Sequence, residues 1–145
     1  MHTHFQQFQF AAFVLLAGAI IGCGNSDLGS VNGTVRLGGQ PLENALVTFT
    51  PVAGGRPAAG KTDSSGYYEL VFSRDDEGAL IGEHTVSIST MGEKVAADGE
   101  SSELIPEKVP AKYNVNTELK KTVEGGSNTI DFDLEPGGEI VQLME

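Results

Sequence analysis

A chain of 145 residues with 39% apolar side chains, seven Phe, three Tyr and no Trp holds enough hydrophobic material for one modest core. Twenty Asp and Glu against nine Lys and Arg give a formal charge of -11, all of it beyond Cys23, so the basic patch that nucleic-acid binding needs is missing. The same balance disfavours adsorption of the bare domain to an anionic membrane and suits a soluble exported domain.

Phe10 to Gly22 is an apolar run of 13 residues. It is too short to span a bilayer of about 30 Å as a helix and right for the h-region of a secretory signal. Met1 to Gln9 carries His2 and His4 but no Lys or Arg, a weak n-region. The run ends at the single cysteine, and Ile20-Ile21-Gly22-Cys23 resembles the bacterial lipobox. The resemblance implies cleavage after residue 22, acylation of Cys23 (the palmitate type of modification) and anchoring in a bacterial cell membrane. Gly24, where inner-membrane lipoproteins of many bacteria carry Asp, points to the outer membrane or cell surface. Residues 23–30 then read as a polar tether. A plain signal peptide with an incidental Cys is the alternative.

Beyond the tether the chain alternates with a period of two, which predicts strands. Val31 to Leu37 turns Val35 and Leu37 inward, and Gly38-Gly39-Gln40-Pro41 breaks it. Ala45 to Thr50 turns Val47 and Phe49 inward. Lys61 to Phe72 is a strand end, a turn and a new strand: Asp63 bonds the backbone two residues on, Gly66 takes a positive φ, and Tyr68, Leu70 and Phe72 share one face. Ser73 to Gly78 is a solvated acidic loop. Gly82 to Thr90 points His84, Val86 and Ile88 one way. Leu119 to Val123 is a short edge strand blunted by Lys120 and Lys121. Thr129 to Glu135 alternates most cleanly, with Ile130, Phe132 and Leu134 inward. Residues 136–145 form a last strand or a frayed tail.

With no sustained helical period past the signal, about seven short strands divided by Gly, Pro, Asn and Asp turns predict an all-β antiparallel sandwich or barrel over residues 31–135. Residues 91–118 break the rhythm for longer than an ordinary loop, a feature of functional or mobile segments. Leu104, Ile105, Val109 and Tyr113 stand there among prolines and are the candidate partner-binding residues. The alternative is that they seal an open edge of the sandwich.

Four ordered stretches carry a family resemblance: Val31-x-Gly33-x-Val35, Gly39-x-Pro41-Leu42-x-x-Ala45-x-Val47-x-Phe49, Thr62-Asp63-x-x-Gly66-x-Tyr68-x-Leu70, and Gly82-x-His84-x-Val86-x-Ile88. Together they resemble the carboxypeptidase regulatory-like domain, a transthyretin-like (Ig-like) β-sandwich. Val109 to Asn114 and Ile130 to Leu134 look like the C-terminal half of small planctomycete lipoproteins of this type. The resemblance implies a non-catalytic accessory module on a cell envelope and supplies no ligand site. His84 stands where the family usually has an aromatic residue. Transthyretin-like hydrolases carry several catalytic His and a C-terminal motif, both missing here.

Catalytic chemistry finds few groups. Cleavage removes His2 and His4, so a Ser-His-Asp site would have to use His84, which sits in an alternating strand as a structural residue does. No His and Cys cluster for a metal remains, and no cofactor is expected. Asp75-Asp76-Glu77-Gly78 offers oxygen ligands that suit calcium but lacks the alternate spacing of an EF-hand loop. Asn32-Gly33-Thr34 matches a glycosylation sequon inside a predicted strand. The leading expectation is therefore a non-enzymatic, envelope-anchored module with a structural or protein-interaction role, its partner an envelope protein or glycan. The alternatives are a carbohydrate binder, for which Tyr67 and Tyr113 are the available platforms, and a calcium-binding surface domain.

Overall fold

The computed structural model describes residues 27–142, which form an all-β sandwich. The signal sequence expected over residues 1–22, the expected lipidation site Cys23, the start of the expected tether and the last three residues of the tail lie outside the described residues.

The organising strand is β1 (Leu28–Leu37), which begins before the expected Val31 and takes over part of the predicted tether. Against one stretch or another of it pair β2 (Gln40–Pro41), β5 (Tyr67–Glu69) and β6 (Ala79–Leu80), all antiparallel. Strands β11 (Gly126–Thr129) and β12 (Phe132–Leu134) also pair with it and run parallel. The facing sheet is antiparallel throughout, in the order β10 (Lys120–Val123), β7 (Gly82–Ser89), β3 (Leu46–Pro51) and β4 (Ala58–Lys61). Ala59 and Val71 exchange backbone hydrogen bonds and tie this sheet to the first along one side. The remaining pair, β8 (Gly92–Val95) and β9 (Ser102–Ile105), is a separate hairpin inside the stretch that lacked any period.

The core lies between the two sheets and is the alternating set: Val35, Val47, Phe49, Tyr68, Leu70, Val86, Ile88, Phe132 and Leu134 are buried, with Leu37, Phe72 and Ile130 packed against them. Large side chains buried this fully contribute about 1.5–3 kcal/mol each. The aromatic rings meet at its centre, Phe132 lying 6.3 Å from Phe49 and 6.2 Å from Tyr68, both within the favourable range for ring pairs. The Tyr68 hydroxyl donates to the Ile130 carbonyl at 2.6 Å, and burial, then the nearby Asp131 charge, push its titration well above the ordinary tyrosine range.

Two predicted strands are interrupted. The run from residue 129 breaks at Ile130 and Asp131 because the Asp131 carboxylate accepts the Thr34 N–H at 2.8 Å and the Thr34 hydroxyl at 3.1 Å, replacing a ladder bond. Gly33 makes room for this: a Cβ there would stand 1.9 Å from the Ile130 carbonyl oxygen. The run from Tyr67 stops at Glu69, and Val71 then bridges both Ala59 and Glu77. In the tail, residues 136–142 add no strand; the Ala111 N–H donates to the Glu139 carbonyl at 2.7 Å, which ties them to the 3-10 turn Ala111–Tyr113.

Candidate functional site

The β8–β9 hairpin is built on a turn with its own chemistry. The Asp98 carboxylate accepts the Ser101 hydroxyl at 2.7 Å and the N–H groups of Ser101 and Glu100 at 3.0 Å, and Gly99 takes φ +72. Those bonds, the Ser101 hydroxyl first, hold the Asp98 carboxyl down at about 2. The register pairs Glu93 with Leu104 and Val95 with Ser102, so Val95 and Leu104 share a face as diagonal neighbours. On the other face Lys94 opposes Glu103. Val95 and Leu104 are each 64% exposed, and among the described residues neither strand pairs with any other. Glu93, Asp98, Glu100 and Glu103 against Lys94 leave the hairpin strongly acidic.

Immediately after the hairpin the chain is locked down by Glu107, only 5% exposed. Its carboxylate accepts the Ser89 hydroxyl, the Thr90 N–H at 2.9 Å and hydroxyl at 3.0 Å, and the N–H groups of Lys108 at 3.0 Å and Val109 at 2.9 Å. Burial favours its protonated form, but these bonds outweigh burial and the carboxyl titrates below its ordinary value. Its backbone exchanges two bonds of 2.9 Å with the Gln142 side chain. Further along, Asn114 and Thr117 bond the carbonyls of Ile88 and Val86, so residues 107–117 lie across the end and outer side of β7.

The structure divides the candidate partner-binding residues. Leu104 stands free on the hairpin and Ile105 is half-buried at its base. Val109 is wholly buried and offers no surface to a partner, which corrects that expectation. Tyr113 packs against the core, and its hydroxyl oxygen accepts the Glu135 N–H at 3.1 Å, so it too acts in the fold rather than as a free anchor. Val95 was not singled out by the sequence, because Glu93 shares its face of β8 and no apolar alternation marks the strand. Glu107 left only a faint trace, an acid beside Lys108 in a short stretch bounded by Pro106 and Pro110.

His84 is 1% exposed and its ring centroid lies 5.7 Å from that of Phe49. Nδ1 lies 3.0 Å from the Gly82 carbonyl, which can only accept, so the proton sits on Nδ1; Nε2 is buried without a partner among the described residues. Among the described residues no group of three or more His, Cys, Asp or Glu side chains is placed to hold a metal ion. In the acidic loop, Asp76 is engaged by the Ser73 hydroxyl at 2.8 Å and by backbone bonds from Phe72 and Ser73. Tyr67 is exposed on β5, whereas Tyr113 is half-buried. No helix among the described residues is long and apolar enough to cross a membrane.

No family model matches the chain, and no curated protein matches it. Among solved structures, the crystal structure of a 9R-lipoxygenase from Cyanothece is similar at 14% identity with a TM-score of 0.33, over 72% of this chain and 16% of the lipoxygenase. This chain thus spans a small fraction of that enzyme, and so loose a likeness says nothing of its activity.

Proposed function

We propose that the protein is a non-catalytic interaction module of the bacterial cell envelope, cleaved after residue 22, held on the membrane by lipid on Cys23, and presenting the β8–β9 hairpin to a protein partner. The observation that carries the reading is the hairpin itself: an unpaired two-stranded ribbon with Val95 and Leu104 exposed together on one face. Isolated hairpins are marginal in water, and exposed apolar side chains on one are best accounted for by a surface that covers them. The acidic residues around that pair favour a partner with Lys or Arg beside an apolar patch. The lipobox-like Ile20-Ile21-Gly22-Cys23 and the ordered motifs that resemble carboxypeptidase regulatory-like domains support an accessory role in the envelope.

The test is photo-crosslinking in cells from position 104, with position 69 on β5 as the control surface. We expect a discrete protein adduct from 104 that Val95→Asp abolishes, and none from 69; equal labelling from both positions would remove the hairpin as the docking element. In parallel, Cys23→Ala should release the protein from the membrane fraction, and a membrane-bound variant of unchanged mature mass would remove the anchor.

A further inference from the structure

At the opposite end of the sandwich from the hairpin lie several connections, among them the acidic loop 73–78, whose Gly78 abuts Gly29. Three of them gather around the first described residue. The Ile81 N–H donates to the Asp27 carbonyl at 2.9 Å, and the Val52 N–H donates to the Glu83 carbonyl at 2.9 Å. A Cβ on Gly125 would stand 3.6 Å from Ile81 Cδ1, which brings the 124–126 turn to the same place. Val52 and Ile81 are each about half exposed, and between Pro51, Ala53, Leu80 and Ile81 lies an open concavity of about 390 Å³ with Asp27 and Glu83 among its lining residues.

We propose that this end of the sandwich rests on the surface of a lipid bilayer, with Val52 and Ile81 as the side chains that enter the interface. The inference rests on the lipid anchor at Cys23 and adds an orientation to it. Only four residue steps separate Cys23 from Asp27. An extended chain spans at most ~3.3–3.6 Å per residue, so Asp27 is held within roughly 14 Å of the acylated residue. A tether that short keeps these connections next to the bilayer whatever their own affinity, because the first attachment makes the second effectively intramolecular. Asp27, Glu83 and Glu124 lie on the same end together with the acidic loop Asp75-Asp76-Glu77; Glu83 is paired with Lys120 at 3.6 Å, and the remaining negative charge would be repelled by anionic headgroups, so the surface that suits it is zwitterionic. Strand β7 runs from Gly82, at this end, to Ser89, just before the hairpin. Eight residues at ~3.4 Å each put the hairpin roughly 25 Å farther out, clear of the headgroups.

The chain has a single cysteine, so an acylated protein has no free thiol and new ones can be labelled. The test uses the full mature lipoprotein carrying Val52→Cys or Leu104→Cys, each labelled with the fluorophore NBD and reconstituted in phosphatidylcholine vesicles that contain nitroxide-labelled lipid. The label at 52 should be blue-shifted and quenched several-fold more than the label at 104. Equal quenching at the two positions on protein that floats with the vesicles would overturn the orientation and leave the anchor standing. A blue shift at 52 without lipid quenching would assign this end to a second copy of the chain and overturn it as well. If the unsubstituted protein takes up label at Cys23 and fails to float, the anchor falls and the orientation with it.

Discussion

Glu107 decides how the segment after the hairpin is held. Taking a carboxylate out of water costs several kcal/mol unless hydrogen bonds replace the lost solvation, and here Ser89, Thr90, Lys108 and Val109 supply donors alone. Glu107→Gln would turn an amide N–H₂ toward some of those donors and leave them unpaired, so at neutral pH we expect a loss of about 2–4 kcal/mol in urea unfolding. The pH dependence has a definite sign. The folded carboxyl titrates below the unfolded value of about 4.3, so its contribution is complete above that value and fades as the pH falls through the lower, folded one. The gap between wild type and Glu107→Gln should therefore narrow in acid, and a gap that stays constant from neutral pH to the acid limit of folding would remove Glu107 as the charged hub. None of this was legible in the sequence: the donors at Ser89 and Thr90 are brought to the carboxylate by the chain's path over β7, and a lone acid between prolines has no pattern to announce it. The inward aromatic and aliphatic residues were legible because alternation states directly which side of a strand faces the core.

At the level of elements, the turn between β4 and β5 was readable in detail. Asp63 Oδ1 accepts the Ser65 N–H at 2.8 Å, as an Asx turn requires, and also the Tyr67 N–H at 3.1 Å, and Gly66 has φ +80. The Ser65 hydroxyl at 2.6 Å is the first cause of the lowered titration of Asp63, followed by these N–H bonds. Gly66 also receives the Val35 N–H on its carbonyl, and a Cβ on it would stand 2.5 Å from the Val35 carbonyl oxygen. Gly66→Val therefore meets both a disfavoured φ and a backbone clash and should cost at least about 1–3 kcal/mol, whereas Ser64→Ala, at an exposed position, should be nearly silent. Matching melting temperatures for Gly66→Val and wild type would show that the turn does not need glycine. The hairpin was unreadable for the converse reason. Neither of its faces is buried, so no apolar alternation marks it, and its register is set by the Asp98 turn. The break at Ile130 and Asp131 was equally hidden, since a side chain that replaces a ladder bond looks in sequence like any outward-facing acid.

For the whole molecule, β1 is the feature with the longest reach. Gly29 to Asn32 pair with Gly126 to Thr129, and Val35 to Leu37 pair with Phe132 to Leu134, so the first strand of the sandwich is completed by its last two. Parallel pairing of this kind needs a long crossover, and contacts so distant in sequence are paid for in chain entropy before they return any stability. A chain ending at Gly125 would leave one side of β1 unpaired along most of its length and delete Phe132 and Leu134 from the core. We expect it to lack a cooperative thermal transition and to show the amide exchange of an unfolded chain; a sharp transition near that of the full protein would mean that β11 and β12 are dispensable. The same pairing sets a clock on synthesis. A ribosome must release the chain through Leu134 before the sandwich can close, so the strands made first stay open, with β1 unpaired on one side, until the last two have emerged.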